Sequence, residues 1–418
     1  MNRKLIIIEY CTWFYEQVVP FKNTKFGKGK SKMNPARNFL VLLTLLVVIF
    51  VAACAPAPAM PAEAIAEQAN NETVSEVVEN TIAPDLSSLS FVDGTGKQVN
   101  LPGIPQRIVV AGKATPYVLD TLYMFPEIAS RLVALEVRGF DTQAFLELVD
   151  PKVQVKTFLD RDSGPEQIAP HNPDLVILKN ISLGKLGATL EEINIPVMGL
   201  NLETPESFYS DLRALGIVLG NQPRADELVS FYQVQQDMVA QMVAGLSTEE
   251  KPSALVLQYT EDGGDVTFTV PPAAYLQTTM IQNAGANPVW LDADGGADGW
   301  IQVSLEQIAA WNPQMVFVVH YGGDSTTVAQ TLMENPLWQD LQAAKTGQIY
   351  GYPADFASWD LIDPRWILGE QWLVKTIQPE RAAELDLIAQ VKDFYRVVYG
   401  LSDQVIEESV LPKLDELK

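Results

Sequence analysis

Two glutamates stand in matching positions of a phrase that the chain carries twice. Glu166 lies in GPEQIAPHNPDLVIL (residues 164–178) and Glu306 lies in SLEQIAAWNPQMVFV (residues 304–318), so that 140 positions separate them. A glutamate in the first turn of a helix is favoured by the helix dipole by about 0.3–1 kcal/mol, and a single copy would need no function. The same carboxylate in both copies indicates a functional role as well, and both interpretations stay open here.

The letters around each glutamate predict a short helix followed by a buried strand. Glu-Gln-Ile-Ala opens the helix, Asn-Pro ends it because the residue before a proline avoids the helical region, and an apolar run follows. Helix and strand in such a unit run antiparallel, so the start of the helix lies beside the carboxyl end of the strand. Ligands of open α/β sheets bind outside those carboxyl ends. Glu166 and Glu306 are therefore predicted on the binding edge of their sheets.

The elements that position these residues alternate between strand and helix patterns. SFVDGTGKQVNLPG predicts a hairpin, and RIVVAG, RLVALE, DLVILKN and PVMGL predict buried strands with helices between them. Residues 204–250 are almost entirely helical, with Thr204 as the N-cap before Pro205, and the strand–helix rhythm then restarts. We therefore predict an α/β protein with mostly parallel sheets covered by helices. Its parts are an N-terminal lobe (89–203), a helical connector (204–250) and a C-terminal lobe with C-terminal helices (251–418).

Length and charge limit the class of protein. A chain of 418 residues is long enough for two or three domains. Its 29 basic and 52 acidic side chains give a net charge of −23. Nucleic-acid-binding proteins present a basic face, so we expect no nucleic-acid partner.

The N-terminus predicts export and a lipid anchor. Residues 39–53 form an uncharged apolar run of 15 residues, shorter than the roughly 20 that a membrane-spanning helix needs and typical of a signal peptide. The run ends in Val-Ala-Ala before Cys54, which resembles the lipobox of bacterial lipoproteins and implies a lipid on Cys54. Residues 1–53 are then a leader, of which 1–32 are a mis-assigned start or an unusually long extension, and 54–88 a flexible tether. The alternative is a plain transmembrane anchor.

Four stretches together resemble a known family. They are SFVDGTGKQVNLPGIPQRIVVAG, PEQIAPHNPDLVIL, WIQVSLEQIAAWNPQMVFVV and SWDLIDPRWILGEQWLVKTIQP, and they span roughly residues 90–379. In this order they resemble the substrate-binding proteins of ABC importers for iron–siderophore complexes, haem and cobalamin. The resemblance implies two rigid lobes joined by a single long helix, with a ligand cleft between the lobes. It also implies that Glu166 and Glu306 dock onto arginines of a two-fold permease dimer.

The resemblance also implies which residues face the ligand. Trp300 matches a tryptophan that packs on the ligand, and Lys179 offers a cation to an anionic iron chelate. The alternatives are that Trp300 is a core or loop residue, that Lys179 is a solvated strand end, and that Arg365 starts a helix or braces a loop. The candidate ligand-binding residues are Trp300, Lys179, Asn180, His320, Tyr321, Trp359, Asp360, Arg365, Tyr117 and Tyr275.

Histidine usage narrows the ligand class. His171 and His320 are the only two histidines, too few for the cluster of histidines and carboxylates that binds bare zinc or manganese. His171 precedes its strand, and we expect a structural role. His320, with Tyr321, is a candidate axial ligand of haem iron, and no metal is expected to bind directly otherwise.

These observations predict a binding protein and not an enzyme. We expect a monomer, anchored outside the cell membrane by lipid, that captures a ferric siderophore or a related metal macrocycle and delivers it to the permease. Haem and cobalamin are the alternative ligands. Two other classes stay open: a tetrapyrrole chelatase that uses His320 as its base, and a surface sensor built on the same scaffold.

Overall fold

The structure is a computed structural model that describes residues 88–138, 140–293 and 299–417, all within the compact unit Thr81–Lys418. The predicted leader, Cys54 and the predicted tether up to residue 87 lie outside the described residues. Within the described part, no helix is both long enough and apolar enough to cross a membrane.

The first lobe is built on a five-stranded sheet in the order β5-β4-β3-β6-β7, with every pair parallel. A separate antiparallel hairpin, β1–β2, precedes it. The strands are β1 Leu89–Val92, β2 Gln98–Leu101, β3 Ile108–Val110, β4 Leu132–Glu136, β5 Thr157–Leu159, β6 Leu175–Lys179 and β7 Val197–Leu200. The predicted hairpin and four predicted strands are confirmed. Strand β5 was not predicted, because this edge strand of three residues has only one buried residue and no continuous apolar run.

The second lobe is built on a six-stranded mixed sheet. Its strands are β8 Ser253–Asp262, β9 Asp265–Val270, β10 Asn287–Pro288, β11 Ile301–Val303, β12 Met315–Val319 and β13 Ile349–Gly351. Strands β10, β8, β12 and β13 pair in parallel, whereas β9 pairs antiparallel with both β8 and β11. The central strand β12 is buried along its whole length, as expected for a strand covered on both faces.

Helices cover these sheets. They are α1 Thr115–Leu122, α2 Ile128–Arg131, α3 Phe140–Val149, α4 Pro165–Ile168, α5 Ala188–Glu192, α6 Pro205–Leu219, α7 Gln222–Val243, α8 Leu276–Asn283, α9 Leu305–Trp311, α10 Ser325–Glu334, α11 Gln342–Lys345, α12 Trp366–Ile377, α13 Leu387–Tyr399 and α14 Asp403–Val405.

The connector between the lobes holds two helices, and the longer one is the spine. Thr204 caps α6 in a reciprocal capping box with Ser207, as predicted for its N-cap role. Gly220 then ends α6 in the left-handed conformation (φ 70°), and Asn221 caps α7. The helical connector is therefore confirmed, but it bends at Gly220 before the 22-residue α7 begins.

Helix α7 contacts both lobes. Near its start, Arg224 Nε donates to the carbonyl oxygen of Met124 in the first lobe over 3.0 Å. Further along, the Tyr232 hydroxyl donates to the carbonyl oxygen of Pro364 in the second lobe over 2.7 Å.

The C-terminal helix α13 also reaches the first lobe, although it was assigned to the C-terminal lobe. The ring of Tyr399 packs edge-to-face against Phe145 of α3, with 4.9 Å between centroids. Its hydroxyl donates to the carbonyl oxygen of Asp120 in α1 over 3.2 Å. The lobes are thus joined by α7 and again by α13.

Candidate functional site

The duplicated phrase folds as predicted in both lobes. Glu166 lies in the first turn of α4 and Glu306 in the first turn of α9, and both side chains are exposed. The helical segment ends at Asn172 in one copy and at Asn312 in the other, with φ of 45° and 44°. These are left-handed conformations, which asparagine tolerates better than most residues. The predicted end at Asn-Pro is confirmed, but the asparagine conformation rather than an extended residue produces it.

Glu166 lies at the carboxyl edge of the first sheet. It lines a cavity of about 550 Å³ formed by the segments that follow β3, β5 and β6. Because β3 lies between β4 and β6, this cavity sits where the strand order reverses, the usual ligand edge of such a sheet. The lining residues are Gly112, Lys113, Asp162, Ser163, Gly164, Pro165, Glu166, Ile181, Ser182, Lys185, Leu186 and Thr189.

Strand register places Glu306 at the corresponding edge of the second sheet. Val303 at the end of β11 pairs with Phe268, and Phe268 pairs with Tyr259 near the end of β8. His320 follows β12, whose last residue pairs with the neighbour of Tyr259. Glu306 comes three residues after Val303, so it shares this edge with His320. A hydrogen bond from the Ser304 side chain lowers the pKa of Glu306, which favours its charged form.

Tyr321, Asp360 and Trp300 meet in the second lobe. The Tyr321 hydroxyl donates to Asp360 Oδ2 over 2.5 Å, and the Trp300 ring stands edge-on to the Tyr321 ring with 6.4 Å between centroids. Tyr321 is 44% exposed, although its hydroxyl is covered at Asp360. Asp360 is itself buried, and burial raises its pKa. The partly exposed ring of Tyr321 is therefore held from below by a hydrogen bond to the buried carboxylate of Asp360.

The base of this cluster is held by further hydrogen bonds. Ser358 Oγ donates to Asp360 Oδ1 over 2.5 Å. Gln277 Nε2 donates to the backbone oxygen of Asp360 over 3.0 Å. Gln277 lies in the first turn of α8, two residues after Tyr275, which is the half-buried N-cap of that helix. Tyr275 therefore lies at the start of a helix that contacts the cluster through Gln277.

Tyr117 of the first lobe interacts electrostatically with this cluster. It lies in the first turn of α1 and is half-buried. Burial raises the pKa of its hydroxyl, and the negative charge of Asp360 raises it further. Tyr117 likewise contributes to the raised pKa of Tyr321. These electrostatic interactions indicate that Tyr117 of the first lobe lies near Tyr321 and Asp360 of the second.

Lys179 and Asn180 make contacts within their own lobe. The Lys179 ammonium group is 2.5 Å from the carbonyl oxygen of Asn201, 2.5 Å from Glu203 Oε1 and 3.0 Å from Asn180 Oδ1. Lys179 is 1% exposed, and burial lowers its pKa against the opposing effect of Glu203. Asn180 Nδ2 donates to Asn201 Oδ1. Lys179 was predicted to face the ligand, with a solvated strand end as the alternative, but it is buried, and its ammonium group has the nearby acceptors that a buried cation needs.

Trp359 and Arg365 lie in the core, not on a surface that a ligand could reach. Both are 0% exposed, and the Trp359 indole donates to Asp355 Oδ2 over 3.2 Å. Arg365 is bound by buried acidic side chains, which matches the alternative that it braces a loop. Its partner Asp120 was not among the predicted site residues, because no local pattern marks a contact made 245 positions away.

The histidines occupy different settings. His320 Nδ1 is 3.0 Å from the carbonyl oxygen of Tyr259, and since a carbonyl only accepts, Nδ1 carries a proton, which in a neutral imidazole would leave the lone pair on Nε2. His171 is half-buried before β6, and its backbone oxygen accepts from Arg107. Across the part of the chain that the structure describes, no three or more histidine, cysteine or acidic side chains form a group able to hold a metal ion.

Two α/β lobes joined by a helical spine make up the described structure. Residues 139–356 match the sequence model of the family described as periplasmic binding protein, and the chain belongs to this family. Proteins of this type act outside the cytoplasm, bind a small ligand and work with an ABC-transporter permease.

Individual relatives are more distant. The molybdate-binding protein MolA of Haemophilus influenzae is 26% identical over 258 residues, which cover 57% of this chain and 70% of MolA. A periplasmic solute-binding protein from Veillonella parvula superposes with a TM-score of 0.63 at 22% identity, covering 79% of this chain and 98% of that one. The catecholate-siderophore-binding protein VctP of Vibrio cholerae gives a TM-score of 0.54 at 21% identity, covering 70% and 99%. At these identities the structural likeness shows the fold alone.

Proposed function

We propose that this protein captures a metal chelate with large apolar or aromatic faces between its two lobes and hands it to an ABC permease. The ligand class is a ferric siderophore or a related metal macrocycle. The observation that supports this proposal is the pair of rings Trp300 and Tyr321 in the second lobe, with Tyr117 of the first lobe near enough to Tyr321 for their charges to interact. Aromatic rings bury large area and favour flat, polarisable partners.

The charges near these rings favour a chelate over a bare oxyanion. Lys179 is already paired with Glu203, and Arg365 is bound by buried aspartates. Asp360 adds a carboxylate beneath Tyr321. A bare dianion such as the molybdate named for MolA binds to unpaired cations or to several converging hydrogen-bond donors, and Lys179 and Arg365 are not free to act as such cations. Molybdate therefore serves as the discriminating probe.

Haem is the alternative ligand with a specific supporting contact. The hydrogen bond between His320 and the Tyr259 carbonyl oxygen fixes the imidazole tautomer and leaves Nε2 able to bind iron. Its ring packs against Gly322 and Gly323, where an added Cβ would approach the imidazole within 3.1 Å and 3.0 Å. Cobalamin is a second alternative ligand, because the rings of Trp300 and Tyr321 could pack against its corrin face.

The ligand class is tested by titration with four probes: a ferric tricatecholate, haemin, cyanocobalamin and molybdate. Quenching of tryptophan fluorescence is followed, with Trp300→Phe as the variant and Trp311→Phe as a matched control elsewhere on the second lobe. We expect saturable micromolar quenching by one of the first three probes that weakens in Trp300→Phe only. Saturable binding of molybdate alone, measured by calorimetry, would overturn the proposal.

Glu166 and Glu306 are proposed as the docking residues for the permease. Both are exposed, and each lies at the carboxyl edge of its lobe, so that a two-fold partner can meet one carboxylate per lobe. The double variant Glu166→Ala/Glu306→Ala should lose uptake in cells while the purified protein keeps its ligand affinity. The matched control is Glu192→Ala/Glu334→Ala, which removes one exposed glutamate from each lobe elsewhere and should leave uptake intact. Uptake that survives the first double variant would instead favour a sensor on this scaffold.

The lipid anchor on Cys54 is also part of the proposal. Cys54 and the apolar run before it are the supporting sequence features. Metabolic labelling with a palmitate analogue should label the wild type and not Cys54→Ser. Equal labelling of both would contradict the anchor, leaving the extracytoplasmic location unaffected.

A further inference from the structure

A buried charge cluster joins the two lobes beneath the candidate site. Arg365 Nη1 is 2.6 Å from Asp120 Oδ2, and Arg365 Nε is 2.8 Å from Asp355 Oδ1. Asp363 Oδ2 is 3.2 Å from Nη1. Arg365 and Asp363 are fully buried, while Asp120 and Asp355 are 4% and 7% exposed. A buried charge that loses its partner destabilises the folded protein, so these contacts hold Arg365 and its aspartate partners at fixed separations.

The cluster contains members from both lobes. Asp120 lies on α1 of the first lobe, whereas Arg365, Asp355 and Asp363 belong to the segment of the second lobe between β13 and α12. The ring of Phe145, on α3 of the first lobe, lies 4.4 Å from the guanidinium carbon. The Arg365 side chain is therefore inserted from the second lobe into the first.

Each end of this connection also carries a residue of the candidate site. Asp120 comes three positions, one helical turn, after Tyr117 on α1. Asp360, which holds the Tyr321 hydroxyl, lies between Asp355 and Asp363 in the same segment. A shift of α1 relative to this segment would change the distance between Tyr117 and Tyr321.

We propose that Arg365 is a positioning residue for the cleft, which ties α1 of the first lobe to the 352–364 segment of the second and so sets the separation of Tyr117 from Tyr321. It does not touch the ligand. Its effect on ligand affinity rests on the proposed function, but its effect on the geometry of the lobes does not.

The test measures lobe separation without any ligand. Nitroxide labels are placed at exposed positions of each lobe through Glu192→Cys and Thr331→Cys in the full chain with Cys11→Ser and Cys54→Ser, and pulsed EPR gives the distance distribution. Asp120→Ala removes the first-lobe partner of Arg365. The matched control is Asp150→Ala, which removes a 3% exposed aspartate whose partners Tyr123 and Lys156 both lie in the first lobe.

We expect one narrow distribution in the parent and in Asp150→Ala, and a distribution broadened about twofold in Asp120→Ala. If Asp120→Ala does not fold, Asp120→Asn keeps an acceptor oxygen for Arg365 while removing the charge, and should broaden the distribution less. A parental distribution in whichever Asp120 variant folds, or equal broadening in Asp150→Ala, would overturn the proposal. Failure of the four ligand probes would leave this result untouched, so the two proposals are separable.

Discussion

At the scale of residues, position after a strand does not decide whether a side chain faces a ligand. Lys179 and Tyr321 both come at the carboxyl end of a buried central strand, and both were predicted to face the cleft. Lys179 is 1% exposed and bound to its own lobe, whereas Tyr321 keeps 44% of its surface exposed. The two side chains differ in exposure because their hydrogen-bond partners differ. Asn201 and Glu203 accept hydrogen bonds from the ammonium group of Lys179 in the interior, whereas Asp360 accepts one from the hydroxyl of Tyr321 and leaves part of the ring exposed.

Trp300→Ala should weaken ligand binding without unfolding the second lobe. Trp300 is half-buried and stands edge-on to Tyr321. An aromatic contact between Trp300 and a ligand ring would typically be worth about 0.5–1.5 kcal/mol beyond area burial. We therefore expect affinity for the probe identified by titration to fall roughly threefold to tenfold. Calorimetry measures this, with Trp311→Ala as the control. Equal affinity in wild type and Trp300→Ala would remove Trp300 from the site.

At the scale of elements, left-handed residues end helices at the junctions that matter for the site. Asn172 and Asn312 end the two helices that present the glutamates, and Gly220 ends α6 before the spine. Each lets the chain reverse within one residue, which a right-handed or extended residue would not do. The bend at Gly220 also brings the side chain of Ile104 within 2.6 Å of where a Cβ would lie.

Gly220→Ala should destabilise the connector more than an equivalent change elsewhere. A left-handed alanine costs about 1–2 kcal/mol, and at Gly220 the contact with Ile104 adds to that strain. Gly245 has a similar φ of 76° with no atom within 4 Å of the added Cβ, so Gly245→Ala isolates the backbone cost. Urea unfolding should show a larger loss for Gly220→Ala than for Gly245→Ala. Equal losses would mean that Ile104 moves aside freely.

At the scale of the whole molecule, several carboxylates are buried with few donors. Burial raises the pKa of Asp211 and of Glu370 to about 7. Glu370 accepts one hydrogen bond, from Asn283 Nδ2 over 3.3 Å, and is 1% exposed. In the unfolded chain these groups titrate near pH 4, so from about pH 5 to 8 the folded protein holds protons that the unfolded chain has released.

Stability should therefore be greatest near pH 5 and fall as the pH rises to 8. Glu370→Gln should flatten this decline by up to roughly 1.4 kcal/mol per pH unit below pH 7, because it removes one such proton. The exposed Glu334→Gln should leave the slope unchanged. Calorimetric unfolding at a series of pH values measures both. A stability that rises from pH 5 to 8 would contradict the raised pKa values.

The sequence alone determined where most strands and helices start and end, and on which edge of each sheet the two repeated glutamates lie. Apolar runs, Thr204 and the Asn-Pro pairs mark where strands and helices start and end, because backbone conformation there depends on neighbouring residues. The helix-then-strand pattern also predicted Glu166 and Glu306 at the carboxyl edges of their sheets. The helix runs antiparallel to the strand that follows it, so the start of the helix lies beside the end of the strand. The repeat was enough to single out both glutamates.

Only the tertiary structure decided which polar residues are exposed and which are buried in contacts between distant segments. Arg365 and Asp120 stand 245 positions apart, and Tyr117 approaches Asp360 from the opposite lobe. Such contacts arise from the packing of two separately formed sheets around α7 and α13, which no local pattern encodes. The same residue types form buried ion pairs and solvent-exposed charges, and only their burial in the folded protein distinguishes the two.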